Sequence, residues 1–314
     1  MRRVLVTGGA GFIGHHLAHA LVARGDAVTV LDDFSMGRRE NIPAAARVVE
    51  GDIRDPAAVR AALEGVDAVL HEAAIVSIRA SVEHFVRDAE VNLMGTLNLL
   101  QQMAGRPIRR AVLASSMAVY ADRPRPDPLA EDAPTAPIAP YGVAKLAAER
   151  YWQLMGSQTG VPTTVLRYFN TYGPNQTFTP YVGVITIFVR RLLAGQAPVI
   201  FGDGEQRRDF VHVDDIVRAN LGVLDAPDDA VVGRVFNVGT GHATSVNEIA
   251  AGLIAVLAPG TEPAYAPAQA GELRNAIADP SALRAALGWS PRPGVDFASV
   301  VEFWRGSGLH QLNR

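Results

Sequence analysis

The segment Thr7-Gly8-Gly9-Ala10-Gly11-Phe12-Ile13-Gly14 restricts the possible folds of this chain more than any other. It closes an apolar run, Val4 to Val6, and opens a stretch in which Phe12, Ile13, Leu17 and Leu21 recur at helical spacing. A strand, a glycine turn and a helix in that order make the first unit of a parallel sheet that binds a dinucleotide. Gly8 and Gly11 are expected at positive φ, where the backbone admits a pyrophosphate. Gly14 lets the helix sit close to the strand, and the helix N-terminus faces the phosphates. Phe12 and Ile13 complete the cofactor-facing turn.

Apolar strand-like runs then alternate with helical patterns. The strands are read at Val4–Val6, Val28–Leu31, Arg47–Glu50, Ala68–Leu70, Ala111–Ala114 and Thr164–Leu166. The helices are read at Gly11–Arg24, Pro56–Leu63, Ser81–Met103 and Tyr141–Gln158. This predicts an α/β fold: a Rossmann-type doubly wound parallel sheet with a smaller α/β C-terminal substrate lobe. Residues 1–170 are assigned to the dinucleotide-binding domain. Residues 171–208 and 237–314 are assigned to the lobe; beyond Thr171 a helix near Ile185–Leu193 and short strands near Val199–Phe201 and Val235–Val238 are expected. Residues 209–236 return to the first domain, with Asp209–Leu224 as another strand–helix step of the main sheet. Six prolines between Asp122 and Pro140 mark an ordered surface loop.

Hydrophobic content of 48% allows a sizeable core, and a net charge of −3 gives no electrostatic case for binding nucleic acid or an anionic membrane. No apolar run has membrane-spanning length, and the N-terminus enters a strand directly, so a cytoplasmic protein is expected. With no cysteine in the chain, disulfides and thiolate chemistry are excluded, and no metal site is expected.

An acidic pair, Asp32 and Asp33, ends the second strand-like run about twenty positions after the glycine turn. A carboxylate there accepts the ribose hydroxyls of NAD and repels the 2′-phosphate of NADP; Arg38 and Arg39 nearby are the one counter-signal. Asp52 and Ile53, after the third run, are placed to bracket the adenine. His71-Glu72-Ala73-Ala74 follows the fourth, with Ala73 and Ala74 allowing close approach of the cofactor and Glu72 read as a surface charge. Ser115 and Ser116 follow the fifth, at the sheet edge where ligands of α/β proteins sit. Tyr141 and Lys145 are four residues apart, on one face of a helix. A free tyrosine titrates near 10. An ammonium about 6 Å away in an effective dielectric of about 20 favours the phenolate by about 3 kcal/mol, roughly 2 pK units. Tyr141 is thus expected to take a proton from an alcohol while its carbon is oxidised by the nicotinamide, with Ser116 orienting the hydroxyl. Tyr120 and Tyr151 read as core and helix-face residues.

These motifs resemble the extended short-chain dehydrogenase/reductase family, and within it the NAD-dependent nucleotide-sugar epimerases and dehydratases. The resemblance covers nearly the whole chain. It implies that Asn92, in Val91-Asn-Leu-Met-Gly-Thr96, and Tyr168, in Arg167-Tyr-Phe-Asn-Thr-Tyr-Gly-Pro174, belong to the cofactor site. It implies that Asn170 contacts the sugar diphosphate and that Pro180-Tyr-Val-Gly-Val-Ile185, with Val184, cradles the nucleotide. In the string from Phe201 to Asp215, it implies that Phe201 stacks on the base, that Arg208 pairs with the diphosphate, and that Asp214 and Asp215 cap a helix.

Departures from the family pattern narrow the chemistry. Dehydratases and decarboxylases of this type carry an acidic side chain just after the catalytic Ser/Thr position, where this chain has Met117 and Ala118. That favours a 4-epimerase of UDP-hexoses or UDP-N-acetylhexosamines, with UDP preferred to dTDP. A nucleotide-sugar 4-keto reductase or another sugar-modifying enzyme of the same family, such as a 3,5-type epimerase, and a non-catalytic NAD-binding protein are the alternatives. Gln269 stands where an arginine is expected; Glu272 would hold the ribose and Arg274 would compensate at the diphosphate. Ala276 replaces a bulky residue and would widen the sugar pocket, while Ser77, Arg79 and Ser81 form a polar stretch along the sugar. The apolar helices Ser81–Met103 and Tyr141–Gln158 would pair between two copies in a homodimer.

Overall fold

The computed structural model describes residues 1–176, 183–268 and 273–306. Strands β1 (Arg3–Thr7), β2 (Ala27–Asp32), β3 (Arg47–Glu50), β4 (Ala68–His71), β5 (Arg110–Ser116) and β6 (Thr163–Tyr168) are parallel, in the order β3-β2-β1-β4-β5-β6. The chain then leaves this sheet. β7 (Asn170–Tyr172) pairs with β9 (Arg207–His212), while β8 (Val199–Phe201) stands apart, until β10 (Val235–Val238) comes back to lie parallel beside β6. β11 (Ala243–Ser245) and β13 (Asn275–Ala276) flank β9, and β12 (Ala264–Ala266) pairs with β8. The strand order reverses direction between β1 and β4, which opens a crevice at the C-terminal ends of the strands.

The helices, in chain order, begin with α1 (Phe12–Ala23), α2 (Pro56–Ala62), α3 (Ile78–Glu83), α4 (Phe85–Ala89), α5 (Thr96–Met103) and α6 (Pro140–Thr159). After them come α7 (Val184–Leu193), α8 (Val213–Asp225), α9 (Asp228–Val231), α10 (Val246–Leu257), α11 (Ser281–Leu287) and α12 (Phe297–Gly306). Alternation along the strands divides the core. Val4 and Val6 of β1 and Val112 of β5 pack with Leu17 and Leu21 of α1 and Ile216 of α8. Leu5, Ala111 and Leu113 point the other way, against Leu99 of α5 and Trp152 of α6. Each fully buried large apolar side chain contributes about 1.5–3 kcal/mol, so both faces must be covered. The lobe has its own core, in which Phe188 of α7 and Leu253 of α10 meet Trp304 of α12.

Two expectations are corrected. The strand within Asp209–Leu224 does not return to the main sheet, since β9 centres the second sheet and β10 makes the return. Only the helical part, α8, packs on the main sheet, against α1 and β6. Nor is Ser81–Met103 one helix. His84, at φ −129° and ψ 47°, separates α3 from α4, and residues Glu90–Gly95 form a wider π turn before α5. That turn carries Asn92, whose side chain accepts from the Ile75 amide and donates to the Ile75 carbonyl. Tertiary hydrogen bonding overrides the simple helical pattern here.

α1 reaches the sheet so closely that a β-carbon on Gly14 would lie 2.1 Å from the Gly8 carbonyl oxygen. Gly14→Ala is therefore expected to cost about 1–3 kcal/mol by overpacking, read as a lower melting temperature. A melting curve that superimposes on the wild type would contradict this contact.

Candidate active site

A cleft of about 1020 Å³ runs along the C-terminal ends of the sheet and continues between the sheet and the lobe. At one end lie Gly8, Gly11, Phe12, Ile13 and Gly14, with Asp32, Asp52 and Ile53 beyond them, and Ala73 and Ala74 opposite. Gly8 has the expected positive φ, +68°, and approaches the next segment so closely that a β-carbon there would lie 2.8 Å from the Ala73 backbone. Gly11 does not share that conformation; it is extended, at φ −76° and ψ −179°, and begins α1. Asp32 accepts from the amides of Ala10 and Phe34, each at 2.9 Å, so it braces the turn and still faces the cleft. Burial pushes its pKa up, against those two amides. Asp52 is held by Arg54, which keeps its carboxyl below the usual range. Asn92 stands away from the cleft, clamping Ile75 and thereby the Ala73–Ala74 segment. The glycine cradle, the carboxylate after β2 and the small residues after β4 fit the pyrophosphate, ribose and ring of NAD.

Beneath this segment the polar groups form a closed chain. Thr96 Oγ1 donates to the Asn92 carbonyl, so at 2.9 Å it accepts from His71 Nε2. His71 Nδ1 then accepts from Thr7 Oγ1 at 2.7 Å, and Thr7 Oγ1 accepts from the Ala73 amide. Burial, aided by Lys145, drives His71 down to about 3, so it is a neutral framework residue.

At the middle of the cleft Ser116, Tyr141 and Lys145 come together. α6 lies against the turn after β5, where a β-carbon on Gly142 would fall 2.2 Å from the Ala118 carbonyl oxygen. That close approach brings Tyr141 beside Ser116 at the cleft. Lys145 Nζ donates to the Ala114 carbonyl at 3.0 Å and sits 6.0 Å from the centre of the Tyr141 ring. The expected depression of Tyr141 does not hold for the protein by itself. Burial pushes the phenol up to about 12, and the carboxylates of Asp88 and Glu72 oppose a phenolate while Ser116 favours it. Burial also brings Lys145 down to about 8, opposed by Glu72, Asp88 and Glu149.

Glu72 is not the surface charge that its sequence context suggests. It lines the cleft beside Lys145, accepts from the Tyr168 hydroxyl at 2.8 Å, and is raised to about 7 by burial. Its position one residue past β4, at the ligand-bearing edge, was the available signal. Arg87, Arg190 and Arg191 also line the cleft and were not singled out from sequence.

On the lobe side the cleft is lined by Ser77, Asn170, Val184, Phe201 and Arg208. Ser77 caps α3 through the Ala80 amide. Asn170 Oδ1 and Gln206 Oε1, from two residues that line the cleft, are buried and have no hydrogen-bond partner among the described residues. The Arg208 guanidinium is fixed by the carbonyls of Arg207 and Arg274, and Arg79 lies 5.7 Å over the Phe201 ring. Three expectations fail here. Arg274 forks onto Asp203, at 2.8 and 2.9 Å, and does not line the cleft. Ala276 is fully buried among Met117, Tyr120 and Leu273, and it is Leu273 that meets the cleft. The N-cap of α8 is His212, which accepts from the Asp214 amide, rather than the aspartates themselves. Gln269, Glu272, Pro180 and Tyr181 fall outside the described residues. Among the described residues no cluster of three metal-ligating side chains occurs.

Behind the site, Glu149 of α6 accepts from Arg167 of β6 at 2.9 and 2.8 Å and from Ser115 of β5. Arg167 also donates to Tyr120, whose hydroxyl donates to Asn237 of β10. This buried pair locks the helix carrying Tyr141 and Lys145 to three strands.

Residues 4–239 match the profile of the NAD dependent epimerase/dehydratase family. The UDP-glucose 4-epimerase of Mycolicibacterium smegmatis is 36% identical over 311 residues, spanning 96% of this chain and 98% of that protein. The UDP-glucose 4-epimerase of Thermotoga maritima, solved with UDP-glucose, superimposes with a TM-score of 0.92 at 36% identity, over 97% of this chain and 99% of its own. The Thermus thermophilus UDP-glucose 4-epimerase complexed with NAD gives 0.89 at 36% identity, over the same shares of the two chains.

The frame behind the site is testable without any ligand. Arg167→Met leaves the buried Glu149 carboxylate without its cation and is expected to cost about 3–5 kcal/mol in urea unfolding. A loss below about 1 kcal/mol would show that the pair is not what holds α6 to the sheet.

Proposed function

The chain belongs to the NAD dependent epimerase/dehydratase family, and on that premise we propose that it is an NAD-dependent nucleotide-sugar 4-epimerase acting on a UDP-hexose or UDP-N-acetylhexosamine. The observation that carries this reading is the grouping of Ser116, Tyr141 and buried Lys145 in one cleft with a dinucleotide cradle at one end. The other end presents Arg208, Phe201 and the side-chain oxygen of Asn170, which has no partner among the described residues; these suit a diphosphate, a base and a sugar.

Ser116 orients the C4 hydroxyl of the sugar, and the Tyr141 phenolate takes its proton as the C4–H bond breaks and the carbonyl forms. Oxidised NAD, when bound, supplies a positive ring that favours the phenolate and the carbon that receives and later returns the C4 hydrogen with its electron pair. The keto sugar turns about its diphosphate linkage while Arg208 keeps hold of the phosphates. Tyr141 then gives the same proton back to the carbonyl oxygen as the C–H bond re-forms on the opposite face, so no reagent is consumed. Met117 and Ala118 line the cleft after Ser116 and offer no group for a second elimination, which supports epimerisation over dehydration.

The same reading makes the enzyme a cytoplasmic homodimer. Val82, Phe85 and Val86 are exposed on the broken helix, and Val143, Tyr151 and Leu154 on the neighbouring α6. Such an apolar surface suits self-association of a second copy.

Purified protein without added NAD is expected to invert C4 of at least one of UDP-glucose, UDP-N-acetylglucosamine and UDP-glucuronate, followed by proton NMR. Tyr141→Phe should fold and retain NAD yet lose at least about a hundredfold in turnover. Unchanged turnover in that variant would refute the mechanism. The double variant Phe85→Glu, Leu154→Glu should sediment as a monomer, and a persisting dimer would place the interface elsewhere.

A further inference from the structure

Lys145 carries its ammonium in a site that has excluded most water, and among the described residues it donates to one backbone group, the Ala114 carbonyl. Burial of a cation needs a nearby negative charge if the cation is to keep its proton. The groups that face it come from three segments. α6 contributes Tyr141 and Glu149, α4 contributes Asp88, and the end of β4 contributes neutral His71. His71 is in register with Leu113 of β5, so Glu72, one residue beyond, comes opposite Ala114, whose carbonyl holds Lys145. Glu149 is shared with the Arg167 fork, so its charge is only partly available to Lys145. Asp88 accepts from Asn92 at one oxygen and has the other buried with no hydrogen-bond partner among the described residues.

Glu72 differs from both, because a directed chain of hydrogen bonds holds its carboxylate. The Asn220 amide donates to the Ile216 carbonyl at 2.9 Å, which identifies that end of the side chain as Nδ2. Its second hydrogen goes to the Tyr168 hydroxyl at 2.7 Å. With its oxygen occupied as acceptor, Tyr168 donates its own hydrogen to Glu72 Oε1 at 2.8 Å. Residues from α8 and β6 thus keep one carboxylate oxygen an acceptor at the cleft wall.

Taking Tyr141 and Lys145 as the proton-transfer pair, we propose that Glu72 is the positioning counter-charge that keeps Lys145 protonated, so that its ionisation sets the pH range over which the pair is armed. Three directions agree with this. Burial brings Lys145 down to about 8, and Glu72 is the foremost group opposing that fall. Burial raises Glu72 to about 7, with the Tyr168 bond and Lys145 restraining it. Glu72 also opposes the Tyr141 phenolate, so the same carboxylate holds the lysine charged and keeps the tyrosine from ionising early.

Lys145 is the only lysine among the 314 residues, so it can be observed alone. The NAD-containing protein, labelled with lysine carrying carbon-13 at Cε, gives one lysine signal to titrate. In the wild type two inflections are expected, a small one near neutrality from Glu72 and the main one from Lys145 at higher pH. In Glu72→Gln, which keeps an acceptor for Tyr168, the first should vanish. The second should move about one pH unit or more toward acid, the size expected for two unit charges several ångströms apart in an effective dielectric of about 20. The alkaline limb of kcat should move down with it while KM changes little. Asp88→Asn should shift the lysine less than Glu72→Gln does. Superimposable titrations of wild type and Glu72→Gln would overturn the proposal. If the variant does not fold, a wild-type titration without the neutral inflection would overturn it equally. The titration needs no turnover, so it stands or falls separately from the identity of the sugar.

Discussion

The burial of one ammonium group, on Lys145, is the constraint around which the rest of the structure is arranged. Removing such a charge from water costs several kcal/mol even after relaxation, and the surrounding protein must offset it. The Ala114 carbonyl takes one donor, and Glu72, Asp88 and Glu149 supply opposing charge from three separate segments. Those segments can meet only where a parallel sheet ends, with α6 laid across β5 closely enough that residue 142 has no room for a β-carbon. The buried Arg167–Glu149 fork then holds that helix in place. The tyrosine inherits its position from these contacts.

Much of the sheet could be read directly from the chain because its strands are buried on both faces and therefore appear as unbroken apolar runs. The run at Arg47–Glu50 has the observed bounds of β3, and Val235–Val238 those of β10. The partner of each strand was harder to read. Arg207–His212 and Val235–Val238 are both short, and nothing local says which of them rejoins the main sheet. The long helical pattern before and through α5 misled for a related reason. Its side-chain periodicity is helical, but Asn92 makes tertiary bonds to Ile75 that periodicity does not register.

In the site, residues attached to a backbone motif were legible: the glycine turn, Asp32, Ser116, and the Tyr141–Lys145 spacing. Those whose direction depends on tertiary partners were not. Arg274 carries the right charge and lies near the right string, yet Asp203 draws it away from the cleft. Glu72 has the chemistry of a surface residue and becomes a cleft residue because the Tyr168 hydroxyl, itself held by Asn220, donates to it. For the protein by itself the expected depression of Tyr141 does not hold, because the reading from Lys145 left out burial and two carboxylates.

A single acid–base group suffices only if the hydrogen removed from C4 is the one restored there. Epimerisation of a UDP-sugar bearing deuterium at C4, in ordinary water and with no added NAD, tests that requirement most directly. Inverted product that keeps its deuterium at C4 is the predicted result. Inverted product with protium at C4 would mean exchange with solvent, and would contradict oxidation and re-reduction by one retained cofactor under the control of Tyr141.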